Sequence, residues 1–221
     1  MKLLLTSAGI SNTSIRNALV GLLGKPIAEA SALFVPTAIY AIAGGAGIAQ
    51  KVIRGTLGDP FCDLGWKSLG LLELTALPSL QRELWVPMLQ ETDALLVGGG
   101  DCQYLCYWMQ QSGLADLLPT LLRKTVYVGL SAGSMIMTCF GTTKGNHTLP
   151  PESDKSLRLI NIALHPHLDH EWFPDNSLAS LEKLAATLSV PSYLIDDQTA
   201  IKVTDGAIEV VSEGNWKLFI P

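Results

Sequence analysis

Short apolar runs alternate with segments of helical period along almost the whole chain, and this alternation constrains the fold more than any other feature. Apolar runs of roughly four to eight residues bounded by turn residues are typical of buried strands. Such strands are predicted at Lys2–Thr6, Ala32–Val35, Leu69–Leu74, Ala94–Val97, Val126–Leu130, Leu159–Ala163, Tyr193–Ile195 and Ala200–Val203. Helices are predicted at Ser14–Leu23, Leu80–Leu89, Gln103–Ser112, Ser134–Phe140 and Leu178–Leu188.

The alternation predicts an α/β fold with a mostly parallel sheet and helices on both of its faces. The end of the chain differs, because Asp205-Gly206 and Glu213-Gly214 separate three late runs as hairpin turns would, which predicts an antiparallel meander at one edge. These runs are Ala200–Val203, Ile208–Val211 and Trp216–Ile220. With 221 residues, 48% of them hydrophobic, the chain has enough apolar material for one α/β domain over residues 1–221.

One predicted strand ends in Gly129-Leu130-Ser131-Ala132-Gly133, followed by residues compatible with a helix. A G-x-S-x-G pattern between a strand and a helix is typical of a nucleophile on a sharp turn. Glycine at Gly129 and Gly133 removes side chains that would clash with the closely passing chain. A helix N-cap without chemistry is the alternative role for Ser131, and Ser134, one step into the helix, is expected to be structural.

Another predicted strand leads into Gly98-Gly99-Gly100-Asp101. A glycine loop lets backbone N–H groups approach a ligand closely, as an oxyanion hole requires. The loop lacks the Lys-Ser/Thr of a P-loop and the spacing of a dinucleotide fingerprint, so nucleotide binding is disfavoured. A plain tight turn is the alternative, but next to a nucleophile turn a second oxyanion donor is the better interpretation.

A serine nucleophile needs a neighbouring base, and the chain has four histidines. Besides His147, they are His165, His167 and His170, which form a cluster. A metal site is the alternative for this cluster, although no H-E-x-x-H motif is present. We expect one histidine to face Ser131 and the others to be loop residues that face water.

The acid that would orient this base is expected at Asp196 or Asp197, between two late strands. Paired acids at a strand end are also common as solvated turn residues. The chain order would be serine, histidine, acid, which differs from the serine, acid, histidine order of the α/β-hydrolases and disfavours that fold. A late acid that orients the base is still consistent with the logic of a catalytic triad.

Several classes of function are excluded by the composition. The net charge is -5 and no Lys/Arg run is present, so a nucleic-acid partner is not expected. No run approaches the roughly 20 apolar residues of a membrane span, and the apolar start fits a first strand better than a signal peptide. The cysteines show no metal spacing, which predicts free thiols in a cytoplasmic protein; they are Cys62, Cys102, Cys106 and Cys139.

Four of these segments, in this order, resemble the motifs of the peptidase E (aspartyl dipeptidase) and cyanophycinase family of serine peptidases, over most of the chain. They are the glycine loop from Ala94 to Leu105, the turn Gly129–Ser134, the segment Pro166–Asp169 and the turn Ile195–Ala200. The resemblance implies a flavodoxin-like sheet related to the class I glutamine amidotransferases, with serine in place of their cysteine.

The resemblance also implies roles by position. Ser131 would be the nucleophile, His167 the general base, and Asp197 the acid, where the family carries a glutamate. Since Asp197 is one methylene shorter, Asp196 stays an alternative. The backbone N–H groups of Gly99 and Ala132 would form the oxyanion hole, and neither a cofactor nor a metal is implied.

Two departures from the family pattern bear on the substrate. Asp101 replaces the asparagine of the glycine loop, and the stretch from Asn176 to Leu184 has no arginine to clamp an acidic side chain. The sequence therefore predicts a Ser-His-Asp peptidase for small peptides, without support for Asp-X specificity. An esterase or amidase, or an inactive binding protein of the same fold, is the alternative, and self-association as a homodimer would fit the apolar composition.

Overall fold

The computed structural model of the protein describes residues 1–58, 60–139 and 156–221. The strands are β1 (Lys2–Thr6), β2 (Ser31–Val35), β3 (Ser68–Leu71), β4 (Ala94–Val97), β5 (Val126–Leu130), β6 (Ala163–His165), β7 (Ser192–Ile195), β8 (Thr199–Thr204), β9 (Ala207–Ser212) and β10 (Trp216–Phe219). The helices are α1 (Thr13–Leu23), α2 (Thr37–Tyr40), α3 (Gly45–Ile53), α4 (Arg82–Gln90), α5 (Cys102–Gln111), α6 (Leu114–Leu121), α7 (Ala132–Met135) and α8 (Leu178–Ala185). Short 3₁₀ segments lie at Ile27–Glu29, Leu74–Ser79 and Pro174–Asn176.

The main sheet has seven strands in the order β3-β2-β4-β5-β1-β8-β9. The first five are parallel, and β8 and β9 are antiparallel additions at one edge. Parallel strands end on the same side of a sheet, so Ser7 after β1 and Ser131 after β5 lie close together. Asp197 reaches the same side because it precedes β8, whose Ala200 pairs with Thr6 at the end of β1.

Apolar side chains cover both faces of this sheet. In β1, Leu3 and Leu5 belong to one core cluster and Leu4 to the other, and all three are fully buried. Helices α1 and α3 contribute to the cluster that contains Leu4, whereas α4, α5 and α6 contribute to the opposite one. Strands buried on both faces must be apolar along their whole length, which explains the near-continuous Leu/Val runs and confirms the predicted α/β class.

A second sheet has the order β10-β7-β6. The predicted meander is therefore wrong in its third strand, because Trp216–Phe219 pairs antiparallel with β7 and not with β9. Phe219 packs against a small core that contains Leu194 of β7 and Leu181 of α8, and this apolar contact draws the strand away from the hairpin. Strands β8 and β9 do form the predicted antiparallel edge of the main sheet.

The strand predicted at Leu159–Ala163 is also wrong, because β6 begins only where that run ends. The amide of Leu157 instead donates to the carbonyl of Ile136, and that of Ile160 to Met137, so these residues form an irregular segment whose apolar side chains pack against the core. Helices α2, α3 and α6 were not predicted; α2 has a single turn and α3 is rich in glycine and alanine. The predicted helix Ser134–Phe140 corresponds to the shorter α7, and Phe140 lies outside the described residues.

The other predicted strands and helices agree with the structure to within a few residues at their ends. In residues 1–58, 60–139 and 156–221, no helix is long and apolar enough to cross a bilayer. The organisation of residues 1–221 as a single domain stays a prediction.

Candidate active site

Ser131 lies on the turn between β5 and α7 with φ 49° and ψ -112°. A positive φ is strained for a residue with a side chain and persists only where the surrounding contacts enforce it. Its N–H donates to the carbonyl of Thr6 over 3.1 Å, and its own carbonyl accepts from the amides of Ser134 and Met135 over 2.8 and 3.0 Å. The strand–turn–helix arrangement predicted around Ser131 is present, and both neighbouring elements hold it.

Two glycines make this turn sterically possible. A Cβ atom on Gly129 would lie 2.7 Å from the backbone of Ser134, and one on Gly133 would lie 2.2 Å from the carbonyl oxygen of Val97. Both neighbours are backbone atoms that cannot rotate away. The hydroxyl of Ser134 is buried and donates to the carbonyl of Thr6 over 2.8 Å, which is the structural role expected for it.

The glycine loop lies directly against this turn. A Cβ on Gly99 would be 3.2 Å from the Cβ of Ser131, and Gly100 adopts φ 126° where it passes the carbonyl of Ala38. Within the described part of the chain, the amides of Gly99 and Ala132 donate no hydrogen bond. Two uncommitted N–H groups beside Ser131 are the donors that an oxyanion hole requires.

His167 brings its ring to Ser131 from the loop after β6. Its Nε2 lies 2.9 Å from the Oγ of Ser131. The residue has φ 60°, a second strained non-glycine position at the same edge of the sheet. The loop is held by Asn176, whose side-chain amide donates to the carbonyl of Pro166 over 3.0 Å.

Asp197 is the acid that contacts this histidine, with Oδ1 2.7 Å from His167 Nδ1. The neighbouring Asp196 is committed to its own turn, where it accepts hydrogen bonds from Thr199 and from the backbone amides of Gln198 and Asn215. Of the two alternatives left by the sequence, the structure brings only Asp197 to the histidine.

The protonation state of Asp197 follows from its contacts. Burial raises the pKa of Asp197, but the hydrogen bonds from His167 and Ser7 and the nearby His170 outweigh it, so the net pKa is lowered. An ionised Asp197 accepts the Nδ1–H of His167. The neutral ring then has its lone pair on Nε2, which faces the hydroxyl of Ser131.

Ser7 is a residue of this site that the sequence analysis missed. Its buried hydroxyl donates to Asp197 Oδ1 over 2.5 Å and accepts the backbone N–H of His167 over 2.9 Å. The available signal was its position directly after β1, at the carboxyl end of a parallel strand, where α/β folds place their sites.

The remaining histidines correct one expectation. His165 does not face water but is buried in β6, where burial lowers its pKa to about 4. His170 does not simply face water either, because its Nε2 lies 3.4 Å from Asp197 Oδ2. His147 lies outside the described residues.

Asp101 has a structural task at the glycine loop. It is the N-cap of α5 and accepts the backbone N–H of Tyr104 over 2.9 Å. An aspartate in this position satisfies a free amide of the first helical turn. Its charge nevertheless lies one residue beyond the glycine loop.

Two cavities of similar size differ in their relation to the site. One of about 310 Å³ lies between α4 and α6 at Lys124 and Thr125, the amino end of β5, and so at the opposite end of that strand from Ser131. The other, of about 290 Å³, is lined by Thr37 after β2, Glu73 after β3 and Tyr104 of α5. The second lies at the carboxyl edge of the sheet, as the glycine loop does.

The polar side chains that meet in the site are a serine, a histidine and an aspartate, which can exchange protons. Among the described residues, no group of three or more His, Cys, Asp or Glu side chains is arranged to hold a metal ion. The four cysteines are free thiols. Burial, together with the charge of Asp63, raises the pKa of Cys62 to about 12, and burial with the charge of Asp101 has the same effect on Cys102.

Comparison with known proteins gives the following similarities. The model of peptidase family S51 matches residues 3–211. A solved protein of Listeria monocytogenes EGD-e, assigned as a peptidase E, has a TM-score of 0.68 at 18% identity over 96% of this chain and 98% of that one. A peptidase from an acI-B1 Actinobacterium has a TM-score of 0.62 at 18% identity, over 99% of this chain and 93% of that one. No curated protein gives a significant match. At this identity the two structures bear on the fold alone, which they share with this chain.

Proposed function

The chain belongs to peptidase family S51, and we propose that it is a serine-type peptidase that hydrolyses small peptides through Ser131, His167 and Asp197. The family supports the peptidase activity, and the motif resemblance predicted this family. The observation that carries the proposal is the continuous series of contacts from Ser131 Oγ to His167 Nε2 at 2.9 Å and from His167 Nδ1 to Asp197 at 2.7 Å.

The first step is acylation of the serine. The hydroxyl of Ser131 attacks the peptide carbonyl while its proton moves to the Nε2 of His167, and Asp197 holds the ring in the tautomer that can accept it. A positioned general base is typically worth about 10²–10⁴-fold in rate. Asp197 also stabilises the imidazolium that forms, because its carboxylate lies beside Nδ1.

The negative charge of the tetrahedral intermediate needs donors that are already in place. The amides of Gly99 and Ala132 are assigned this role because both are uncommitted and adjoin Ser131. Each donor of this kind contributes on the order of 10²–10³ in rate. The strain at Ser131 is the geometric cost of presenting its hydroxyl to a substrate carbonyl whose oxygen would lie at these donors.

The second half of the reaction regenerates the serine. When the intermediate collapses, the carbon–nitrogen bond breaks and the imidazolium of His167 gives its proton to the leaving amine. Water then attacks the acyl group while His167 takes the water proton. Finally, the proton returns to the Oγ of Ser131 as the carboxylic acid product leaves.

Small peptides are the proposed substrates because the motifs around Ser131 and His167 resemble those of the aspartyl dipeptidases. The proposal does not include specificity for an acidic residue. Helix α8 and the segment before it contain no arginine, and Asp101 and Glu73 both place carboxylates on the substrate side of the sheet. An acidic side chain would be repelled there.

The decisive experiment compares the wild type with Ser131→Ala and Ser134→Ala on Asp-X, Glu-X and neutral dipeptides, following the release of free amine. Ser134 is the matched control because its hydroxyl lies on the same turn but donates to Thr6. We expect Ser131→Ala to lose at least about 10³-fold in rate and Ser134→Ala to retain most of it.

Other results separate the alternatives. Turnover of simple esters with inert peptides would indicate an esterase. If wild type and Ser131→Ala were equally inert on peptides and esters, the proposal would be wrong and a binding protein of this fold would be favoured. A cytosolic location and self-association as a homodimer remain predictions. The free cysteines support the cytosolic location. Analytical ultracentrifugation of the purified chain, which measures its sedimentation, would test for the homodimer.

A further inference from the structure

We propose that His170 is a positioning residue of this site, which holds the second carboxylate oxygen of Asp197 and thereby keeps the first oxygen aimed at His167. The inference rests on the proposed function and deepens it, since it concerns the residue that sets the orientation of the acid. Neither the motif resemblance nor the family match assigns a role to His170.

The contact itself is direct. The Nε2 of His170 lies 3.4 Å from Asp197 Oδ2, while Ser7 and His167 both bind Oδ1. The His170 side chain is 28% exposed, so the contact is shielded from bulk solvent on most sides. Among the described residues, His170 is the only one whose side chain contacts Oδ2 of Asp197.

The tautomer of His170 is determined by its own loop. The backbone N–H of Trp172 donates to the Nδ1 of His170 over 3.1 Å, so Nδ1 has to present its lone pair. The neutral ring therefore carries its hydrogen on Nε2, the nitrogen that faces Asp197. His170 is consequently a donor to the carboxylate without carrying a charge.

The loop keeps the His170 ring in place. The amide of His170 donates to the carbonyl of His167 over 3.3 Å, and the amide of Phe173 donates to the carbonyl of His170 over 2.9 Å. Asp169, the preceding acid, accepts from the backbone amide of Leu178 over 2.8 Å. The titratable groups that contact His170 in the described structure are thus Asp197, from the loop after β7, and His167, from its own loop with ring centroids 6.2 Å apart.

An aspartate needs such a second contact more than most side chains. The last torsion of an Asp side chain is broad and has little intrinsic preference, so a carboxylate held at one oxygen can rotate. Asp197 is held at both oxygens, by His167 and Ser7 on one side and by His170 on the other. Rotation away from His167 would break the contact to His170.

The same contact has a consequence for pH. The neutral ring of His170 draws on the charge of Asp197 as a hydrogen-bond donor and so competes with His167 for that charge. Removing His170 leaves more of the carboxylate charge to His167, because Ser7 is then the only other donor to Asp197. The base would then hold its proton more tightly, and the acid limb of kcat/KM would move to higher pH.

The test uses His170→Gln and His170→Phe, because glutamine can donate an N–H to Oδ2 without ever carrying a charge and phenylalanine can do neither. We expect His170→Phe to lose about tenfold in kcat at unchanged KM, a fraction of the ~10²–10⁴-fold that base catalysis supplies, and His170→Gln to recover most of that loss. In His170→Phe the acid limb should also move to higher pH, whereas His170→Gln, which keeps a donor to Oδ2, should leave it near its wild-type position. Glu171→Gln, which removes an exposed neighbouring charge, is the control and should change neither quantity.

Equal losses in the Gln and Phe variants without movement of the acid limb would overturn the proposal, as would full activity with an unchanged limb in His170→Phe. If the wild type has no peptidase activity, an NMR titration of the His167 ring still decides the matter. A His167 pKa that rises in His170→Phe supports the contact, and an unchanged His167 pKa in that variant refutes it, independently of whether the proposed function holds.

Discussion

The phenyl ring of Phe173 stacks on the imidazole of His167, with ring centroids 4.3 Å apart and planes 13° from parallel. His167 sits at a strained φ of 60°, so its ring orientation depends on contacts outside its own backbone. A face-on aromatic ring restrains the imidazole in the plane that contains both Ser131 and Asp197. In the proposed mechanism it would also favour the imidazolium of His167, through its cation–π attraction.

Phe173→Ala is expected to lower kcat about three- to tenfold and to leave KM nearly unchanged, since a cation–π or stacking contact is worth about 0.5–1.5 kcal/mol. Steady-state kinetics on the best dipeptide measures this. Trp172→Ala is the matched control, because Trp172 is 77% exposed and its ring contacts His170 and not His167. Equal losses of kcat in the two variants would show that the kcat depends on the integrity of the loop and not on the stacking of Phe173 on His167.

Ser7→Ala is expected to reduce both activity and stability. The substitution leaves the partly buried N–H of His167 without an acceptor and removes a donor from Asp197. An unsatisfied buried group costs about 1–3 kcal/mol, and a loss of about tenfold in kcat should accompany it. Urea denaturation and kinetics measure the two effects on one preparation.

The control for this variant is Ser192→Ala, which removes another buried serine hydroxyl. Ser192 is the first residue of β7, and its hydroxyl donates to the backbone carbonyl of Val190. It should lower stability without lowering kcat. A Ser7→Ala enzyme with wild-type kcat would contradict the role assigned to the Ser7 hydroxyl.

The parts of the site that could be predicted from sequence are those with a local signature. The turn at Ser131 follows from glycines two residues away on either side, because the close contacts that require them lie within a few residues or in the neighbouring strand. The strands of the main sheet follow from apolar runs, since burial on both faces demands them. Asp197 and His167 were assigned through motif resemblance, which carries information that spacing alone does not.

The parts that could not be predicted depend on contacts between distant segments. Ser7 meets His167 and Asp197 only because β1 lies between β5 and β8, an order that no local pattern encodes. His170 was assigned to solvent for the same reason. The last strand was placed in the wrong sheet because its hairpin-like turn is local, whereas its partners on β7 and α8 are not.

Gly133→Ala and Gly21→Ala should change stability in opposite directions. The new Cβ at Gly133 would lie 2.2 Å from the carbonyl oxygen of Val97, so the turn has to move, at a cost of about 2 kcal/mol or more. Gly21 is an exposed residue within α1, and a Cβ atom there would meet nothing within 4 Å. Alanine at this position should stabilise the helix by about 0.5–1 kcal/mol. Unfolding midpoints that fell equally in both variants would rule out the steric explanation.

His165 should make the stability of the protein fall as the pH is lowered. Its folded-state pKa is about 4, because burial disfavours the charged ring, whereas the unfolded chain titrates near the ordinary value of 6.5. Between these values the unfolded state binds more protons than the folded state, so acidification favours unfolding. The stabilisation is complete above pH 6.5 and is lost toward pH 4, by about 3 kcal/mol in total.

His165→Leu removes this dependence and is the variant to compare. Its Nε2 has no hydrogen-bond partner in the described structure, so a leucine in its place leaves no further polar group unsatisfied at neutral pH. Urea unfolding of both proteins at pH 7.5 and pH 5 gives a double difference in which other titrating groups, including Asp197, cancel. We expect the wild type to lose about 2 kcal/mol more than the variant over this interval, since each pH unit below 6.5 costs about 1.4 kcal/mol. A double difference near zero would mean that His165 accepts a proton in the folded state as readily as in the unfolded one, and that the burial of its ring does not control its charge.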